Sequence, residues 1–252
     1  MSDQTVQSTQ PHTQQSTLMK DLMIPVSIII AGGFIGAGLY FGGGQASSTG
    51  VAAPTQAAEA DDKTSLVNPV TAADHIRGSL EAPVKIIEFS DYDCPFCTRY
   101  HTAMQEITSK YSGDEVAWVY RHFPLEQLHP QAAAVALASE CVAELGGNDA
   151  FWEFTDSYMT ARGSGDKTAH NELIPKLVLG VGVSQQAFTE CYDSGRHNAA
   201  IQEDMTDAVE TGGRGTPWSI LVGPSGKTYP INGALPAATI ENLIKLAKEE
   251  AY

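Results

Sequence analysis

Basic side chains are scarce in this chain: 15 Lys and Arg stand against 30 Asp and Glu, a formal charge of −15. Binding a phosphate backbone needs clustered Lys and Arg, so nucleic acid is excluded as a partner and the acidity reads as a solvated surface. Cysteine is sparse too, with four in 252 residues. A chain of this length buries enough apolar surface to fold without a disulfide framework, so its cysteines are of interest for chemistry and position. A third shortage is local. Residues 22–43 carry no formal charge, and after Lys20 no Lys or Arg appears until Lys63.

That uncharged stretch is long enough to cross a hydrocarbon core of about 30 Å as one helix. A cleaved signal peptide is the rival reading, but its apolar region typically spans about 7–15 residues behind a basic leader. Here the leader is polar and rich in Gln, Ser and Thr. The expectation is a disordered cytoplasmic tail at 1–21, a transmembrane anchor at 22–43 and a flexible linker at 44–66. Lys20 before the span and no cation after it favour an exported carboxy-terminal domain on the cell membrane. Outside the cytoplasm disulfides persist.

Past the linker, Val84–Phe89 is a short apolar run between Pro83 and the Ser90-Asp91 turn signal, as a buried central strand should be. It runs into Cys94-Pro95-Phe96-Cys97. Phe96, Tyr100, Ala103, Met104, Ile107 and Tyr111 then recur at helical spacing, which predicts an amphipathic helix over 95–111. Val116–Phe123 is a second strand closed by Pro124, and strand, helix, strand at this length implies a parallel crossover. Helices fit 130–145, 151–159, 171–179, 185–194 and 196–211. A hairpin follows, with strands 218–222 and 227–231 around Gly223-Pro224-Ser225-Gly226, and a terminal helix places Ile240, Leu243, Ile244 and Ala247 on one face.

Taken alone, the Cys-x-x-Cys spacing fits a redox couple, half of a zinc site or an inert staple. His101 offers a third metal ligand, but no fourth and no second Cys-x-x-Cys follows, so a surface histidine is expected there. His122, ahead of Phe123-Pro124, reads as structural. A thiol at a helix start is acidified by the first-turn N–H groups and the helix dipole, which marks Cys94 as the nucleophile and Cys97 as the resolving thiol. Pro95 suits the first helical turn, where its missing N–H costs nothing.

Glu88-Phe89-Ser90-Asp91-Tyr92-Asp93-Cys94-Pro95-Phe96-Cys97, then Arg121-His122-Phe123-Pro124-Leu125, then Gly215-Thr216-Pro217, together resemble the thiol:disulfide oxidoreductases of the DsbA family over residues 68–250. The resemblance implies an α/β, thioredoxin-like domain at 67–252 with a helical insert at about 127–212, preceded by one transmembrane helix. It implies that Glu88 lies beneath the cysteine pair and shuttles protons to Cys97, and that a cis Thr216-Pro217 bond faces the pair and offers backbone to an extended substrate. Pro95 and Phe96 tune the couple. Many oxidases of this family carry His where this chain has Phe96, so a milder oxidant is expected.

The resemblance further implies a membrane-tethered oxidase that passes its disulfide to reduced, unfolded or partly folded secreted proteins. A membrane quinone-linked thiol oxidase would reoxidise it; no cofactor and no metal are expected. A disulfide isomerase or reductase of the same fold, or a non-catalytic tethered binding module, are the alternatives. Trp218 reads as core packing. Cys141 and Cys191 fall in the insert. Export favours a structural disulfide between them, closing a loop of about 50 residues worth up to ~4 kcal/mol; two buried free thiols are the alternative.

Overall fold

Among the described residues, five strands lie side by side in one sheet, in the order β1 (His75–Arg77), β3 (Val116–His122), β2 (Val84–Ser90), β4 (Trp218–Val222) and β5 (Thr228–Asn232). The structure is a computed structural model and describes residues 63–250. The tail expected at 1–21, the anchor at 22–43 and nearly all of the linker at 44–66 lie outside the described residues. Among the described residues, no helix is long and apolar enough to cross a membrane.

Strand β2, Val84–Ser90, sits at the centre, parallel to β3, Val116–His122, and antiparallel to β4, Trp218–Val222. The hairpin partner β5, Thr228–Asn232, closes one edge. The other edge is β1, His75–Arg77, antiparallel to β3. Sequence pattern alone misses β1, because its three residues hold a single apolar side chain, Ile76, too short a run to show alternation.

The alternation along β2 feeds two cores. Val84 and Ile86 point to the side covered by helix α1, Pro95–Lys110, where they meet Tyr100, Met104 and Ile107. The carboxy-terminal helix α6, Ala237–Glu249, adds Ile240 and Ile244 to the same core. Ile87 and Phe89 point the other way, onto Val119, Ile220 and Ala208. Truncating one of these fully buried chains to Ala leaves a cavity and costs about 2–5 kcal/mol.

Between β3 and β4 run four helices: α2, Ala132–Gly163; α3, His170–Gly180; α4, Gln185–Ser194; and α5, Asn198–Glu210. The segments expected at 130–145 and 151–159 join into α2, which breaks only at Gly147, with φ 80° and ψ −176°. That left-handed φ is open to glycine and strained for other residues, so Gly147, between the two expected segments, kinks the helix without ending it. Residues 135–139 of α2 are all buried, with Ala at two of them, so the helix is enclosed on all sides and its neighbours approach closely. Ala136 and Leu137 pack on Ile201 of α5, while Val135 and Ala138 join the core beneath α1.

Candidate active site

β2 ends at Ser90, and the chain turns through Asp91-Tyr92-Asp93 into α1. Asp91 clamps this turn. Its buried carboxylate accepts the N–H groups of Asp93 at 2.8 Å and Leu125 at 2.7 Å, and His129 Nδ1 at 2.9 Å. Cys94 takes the N-cap of α1 with extended backbone, and Pro95 opens the helix. Both thiols are free; Cys94 exposes 4% of its surface and Cys97 none.

Their electrostatics diverge. The Cys97 thiol donating to Cys94 holds the Cys94 thiol low, near 5, against the opposing effect of burial, with Thr216 and the backbone N–H groups of Cys97 and Phe96 adding to the lowering. Burial pushes Cys97 well up, and negative charge on Cys94 and Glu88 pushes it further. Of the pair's two protons, the one on Cys94 leaves first. A thiolate therefore forms at the sulfur nearer the surface, while the inner sulfur keeps its hydrogen and receives the Asp91 N–H at 3.5 Å.

Glu88 is fully buried on the α1 side of β2, flanked across the sheet by Tyr120 of β3 and Ser219 of β4. Its Oε2 accepts the Trp118 indole N–H at 2.8 Å; its Oε1 has no hydrogen-bond partner among the described residues. Burial raises its carboxyl to about 7, with the neighbouring Ser90 hydroxyl and then the Trp118 N–H opposing. A group poised near neutrality is suited to exchanging a proton with its surroundings.

Opposite the pair, the Thr216-Pro217 bond is cis, and the Cys94 thiol lies 3.4 Å from the Thr216 carbonyl oxygen. The loop leading there is packed down at Gly213, where a Cβ would stand 2.7 Å from the Ala208 carbonyl oxygen and 2.9 Å from the Trp218 ring. Trp218 is buried, donating its indole N–H to Thr211 Oγ1 at 3.2 Å. Phe96 is 54% exposed, with the Arg99 guanidinium 5.0 Å from its ring centre. Cys141 in α2 and Cys191 in α4 are disulfide-bonded, 50 residues apart in the chain.

His101 departs from the surface histidine expected. It is 2% exposed, its Nε2 2.8 Å from Asp156 and its ring 4.9 Å from that of Trp118, and burial lowers its pKa. Its position on α1, four residues after Cys97, turns it toward the sheet with Tyr100 and Met104. Two further residues at the site escape sequence reasoning. Asp93, next to Cys94, is tied to the helical segment by Tyr158 Oη of α2 at 2.7 Å and His170 Nε2 of α3 at 2.9 Å. Trp118 supplies the donor to Glu88. The acidic residue beside Cys94 is visible in the sequence, whereas partners 65 and 77 residues away are not.

Residues 70–240 match the sequence model of the family described as Thioredoxin. Among solved structures, the α-DsbA1 of Wolbachia pipientis superposes with a TM-score of 0.62 at 21% identity, covering 75% of this chain and 97% of that one. BdbD from Bacillus subtilis, in its oxidised form, gives 0.61 at 20% identity, covering 72% and 96%. At such identities the likeness shows the fold: thioredoxin-like, as in DsbA-type proteins. The curated relatives are of another kind. The Na(+)/H(+) antiporter NhaA 1 of Mycolicibacterium gilvum is 44% identical over 87 residues, 34% of this chain and 14% of that protein. The NhaA 1 of Salinispora arenicola is 32% identical over 148 residues, 57% of this chain and 21% of that protein. This chain thus spans a small part of the antiporters it matches.

Proposed function

The chain belongs to the thioredoxin family, and from that premise we propose that it is a thiol:disulfide oxidoreductase acting through Cys94 and Cys97. The observation that carries the reading is the unequal pair: a thiol held near 5 at a helix N-cap, beside a buried thiol pushed the other way. In the oxidising direction, a substrate thiolate attacks Sγ of Cys94 in the Cys94-Cys97 disulfide. The S–S bond breaks, its electron pair goes to Cys97, and a mixed disulfide joins substrate to Cys94. Cys97 takes up a proton, for which Glu88 is the donor. A second substrate thiolate then attacks the substrate sulfur of the mixed disulfide, Cys94 leaves as thiolate, and the substrate departs oxidised with the enzyme a dithiol.

Direction follows from the leaving group. A low pKa on Cys94 stabilises the dithiol form, so the disulfide form gives up its oxidising equivalents readily. This favours an oxidase over an isomerase or reductase. Thr216, whose carbonyl faces Cys94, would pair with an extended substrate segment beside Pro217. Reduced, unfolded or partly folded secreted proteins are the proposed substrates, a membrane quinone-linked thiol oxidase the proposed reoxidant, and the outer face of the cell membrane, through an anchor at 22–43, the proposed location.

The test is to trap Cys94 and Cys97 in living cells by acid quench and thiol alkylation, with the reduction potential of the purified chain measured alongside. An oxidase rests with the pair closed. A pair found open at rest, with a potential at or below the thioredoxin value of about −270 mV, would assign a reductase.

A further inference from the structure

Away from the cysteine pair, three side chains from three elements converge on one point. His75 of β1 stands opposite Tyr120 in the β1–β3 register, and His122 lies two residues further along β3, so both imidazoles emerge on one face of the sheet. Glu140 of α2 lies over that face. Its Oε1 is 2.8 Å from His75 Nε2 and 2.8 Å from His122 Nε2, and the three ligand atoms lie within 4.8 Å of one another. Phe151 stacks on the His75 ring with 3.6 Å between centres, fixing its plane. His122 is 1% exposed and its Nδ1 has no hydrogen-bond partner among the described residues.

We propose that His75, His122 and Glu140 form a binding site for a divalent transition-metal ion, zinc being the ion that best suits the donors. Two imidazole nitrogens and one carboxylate oxygen are a donor set that zinc takes in three-ligand sites with an open position, whereas calcium and magnesium take oxygen ligands. Ligand atoms about 2.0–2.1 Å from a shared tetrahedral zinc stand about 3.3 Å from one another, so seating the ion asks the Glu140 oxygen to draw back by roughly half an ångström from each imidazole and the two imidazole nitrogens to settle at that same spacing. A cavity of about 230 Å³, lined by His75, Glu140, Asp204 and Asn68 among others, reaches the cluster and gives the ion and a fourth, water ligand their way in. Asp204 accepts the His122 backbone N–H at 2.9 Å and would hold that ligand's main chain in place. No metal is expected from the sequence, because residues 75, 122 and 140 share no motif spacing and only the β1–β3 pairing and α2 bring them together.

The site is independent of the proposed thiol chemistry, and the test separates the two. The untagged full-length chain, oxidised so that Cys94-Cys97 is closed and no thiol competes, is equilibrated with zinc sulfate and its bound metal counted. One zinc per chain is expected, with affinity falling about 100-fold or more in His75→Gln and in Glu140→Gln. X-ray absorption of the zinc-loaded wild-type chain needs no variant and should show outer-shell scattering from two imidazoles. Absence of one bound equivalent in the oxidised chain overturns the proposal. So does zinc held equally well by both folded variants, or an absorption spectrum without histidine scattering.

Discussion

The two cysteine pairs share a residue type and near-complete burial, yet they sit in opposite chemical states. Cys141 and Cys191 lie inside the helical segment, fully buried, and are bonded. Cys94 and Cys97 are almost as buried and are free. Burial therefore does not make a cysteine reactive or inert. The difference lies in what surrounds the sulfur: Cys94 takes a helix N-cap with two backbone N–H groups and a neighbouring thiol to hold its negative charge. Cys141 sits mid-helix, where every backbone N–H is already committed to the turn before it.

The strongest way to break this comparison is to remove the sulfur of Cys94. Cys94→Ser should reduce thiol–disulfide exchange with a reduced, unfolded substrate protein to the uncatalysed rate, in a chain that still folds. The pH profile is the finer readout. With Cys94 near 5, alkylation of the reduced chain should rise through that pH and level off near neutrality, where an ordinary thiol, with a pKa of about 8.5, is still mostly protonated. A midpoint near 8 would mean that the surroundings of Cys94 do not set it apart.

The bonded pair should show the opposite. Cys141→Ala with Cys191→Ala frees a loop of about 50 residues and should cost up to ~4 kcal/mol in urea unfolding, leaving exchange rates unchanged once the protein is folded. A loss of exchange in the folded double variant would join two regions that are separated here.

Much of this contrast is legible in the sequence. β2, α1, β3 and the β4–β5 hairpin follow from apolar period and turn residues within a residue or two of where they lie, because each buries one face locally. Cys94 and Cys97 could be marked because their spacing and place at a helix start carry the chemistry, whereas Thr216-Pro217 is marked only by what the family resemblance implies. What stays hidden depends on contacts between distant segments. His101 reads as exposed until Trp118 and Asp156 are placed around it. Glu88 shows only as a charge in an apolar strand, and its donor is 30 residues away on the adjacent strand. The three-residue β1 exists because β3 offers it an edge.

Glu88 tests the surroundings of Cys94 and Cys97 from beneath. Its carboxyl is raised from 4.5 to about 7 by burial, so it adds stability below pH 4.5 that is lost as pH rises through 7. The swing is about 3 kcal/mol. Glu88→Gln keeps an oxygen for the Trp118 N–H and removes the ionisation. In the oxidised chain, its unfolding free energy should therefore stay flatter than wild type between pH 5 and 8, and exceed it at pH 8. Asp204, itself raised to about 6 by burial, titrates in the same window but is common to both proteins and cancels in the difference. Parallel profiles would return Glu88 to a structural role.

The smallest expected effect falls on Phe96, which lies between Cys94 and Cys97 and is 54% exposed. Its ring packs against Arg99 at the surface, so its replacement opens no cavity and any change in the couple is electronic. Cys94 is already held near 5 without an imidazole beside it, through Cys97, Thr216 and the helix N–H groups. Phe96→His would add a donor, cationic at and below neutrality, next to the same thiolate. A further lowering of Cys94 by about one unit favours the dithiol by about 1.4 kcal/mol, which is about 30 mV toward a stronger oxidant. Equilibration of both proteins with glutathione at pH 7 reads that shift directly. The stability of the oxidised form should not move, since a disulfide carries no thiolate for the imidazole to stabilise. A change confined to stability, with the potential fixed, would mean that position 96 acts through packing and that the helix N-terminus alone sets the couple.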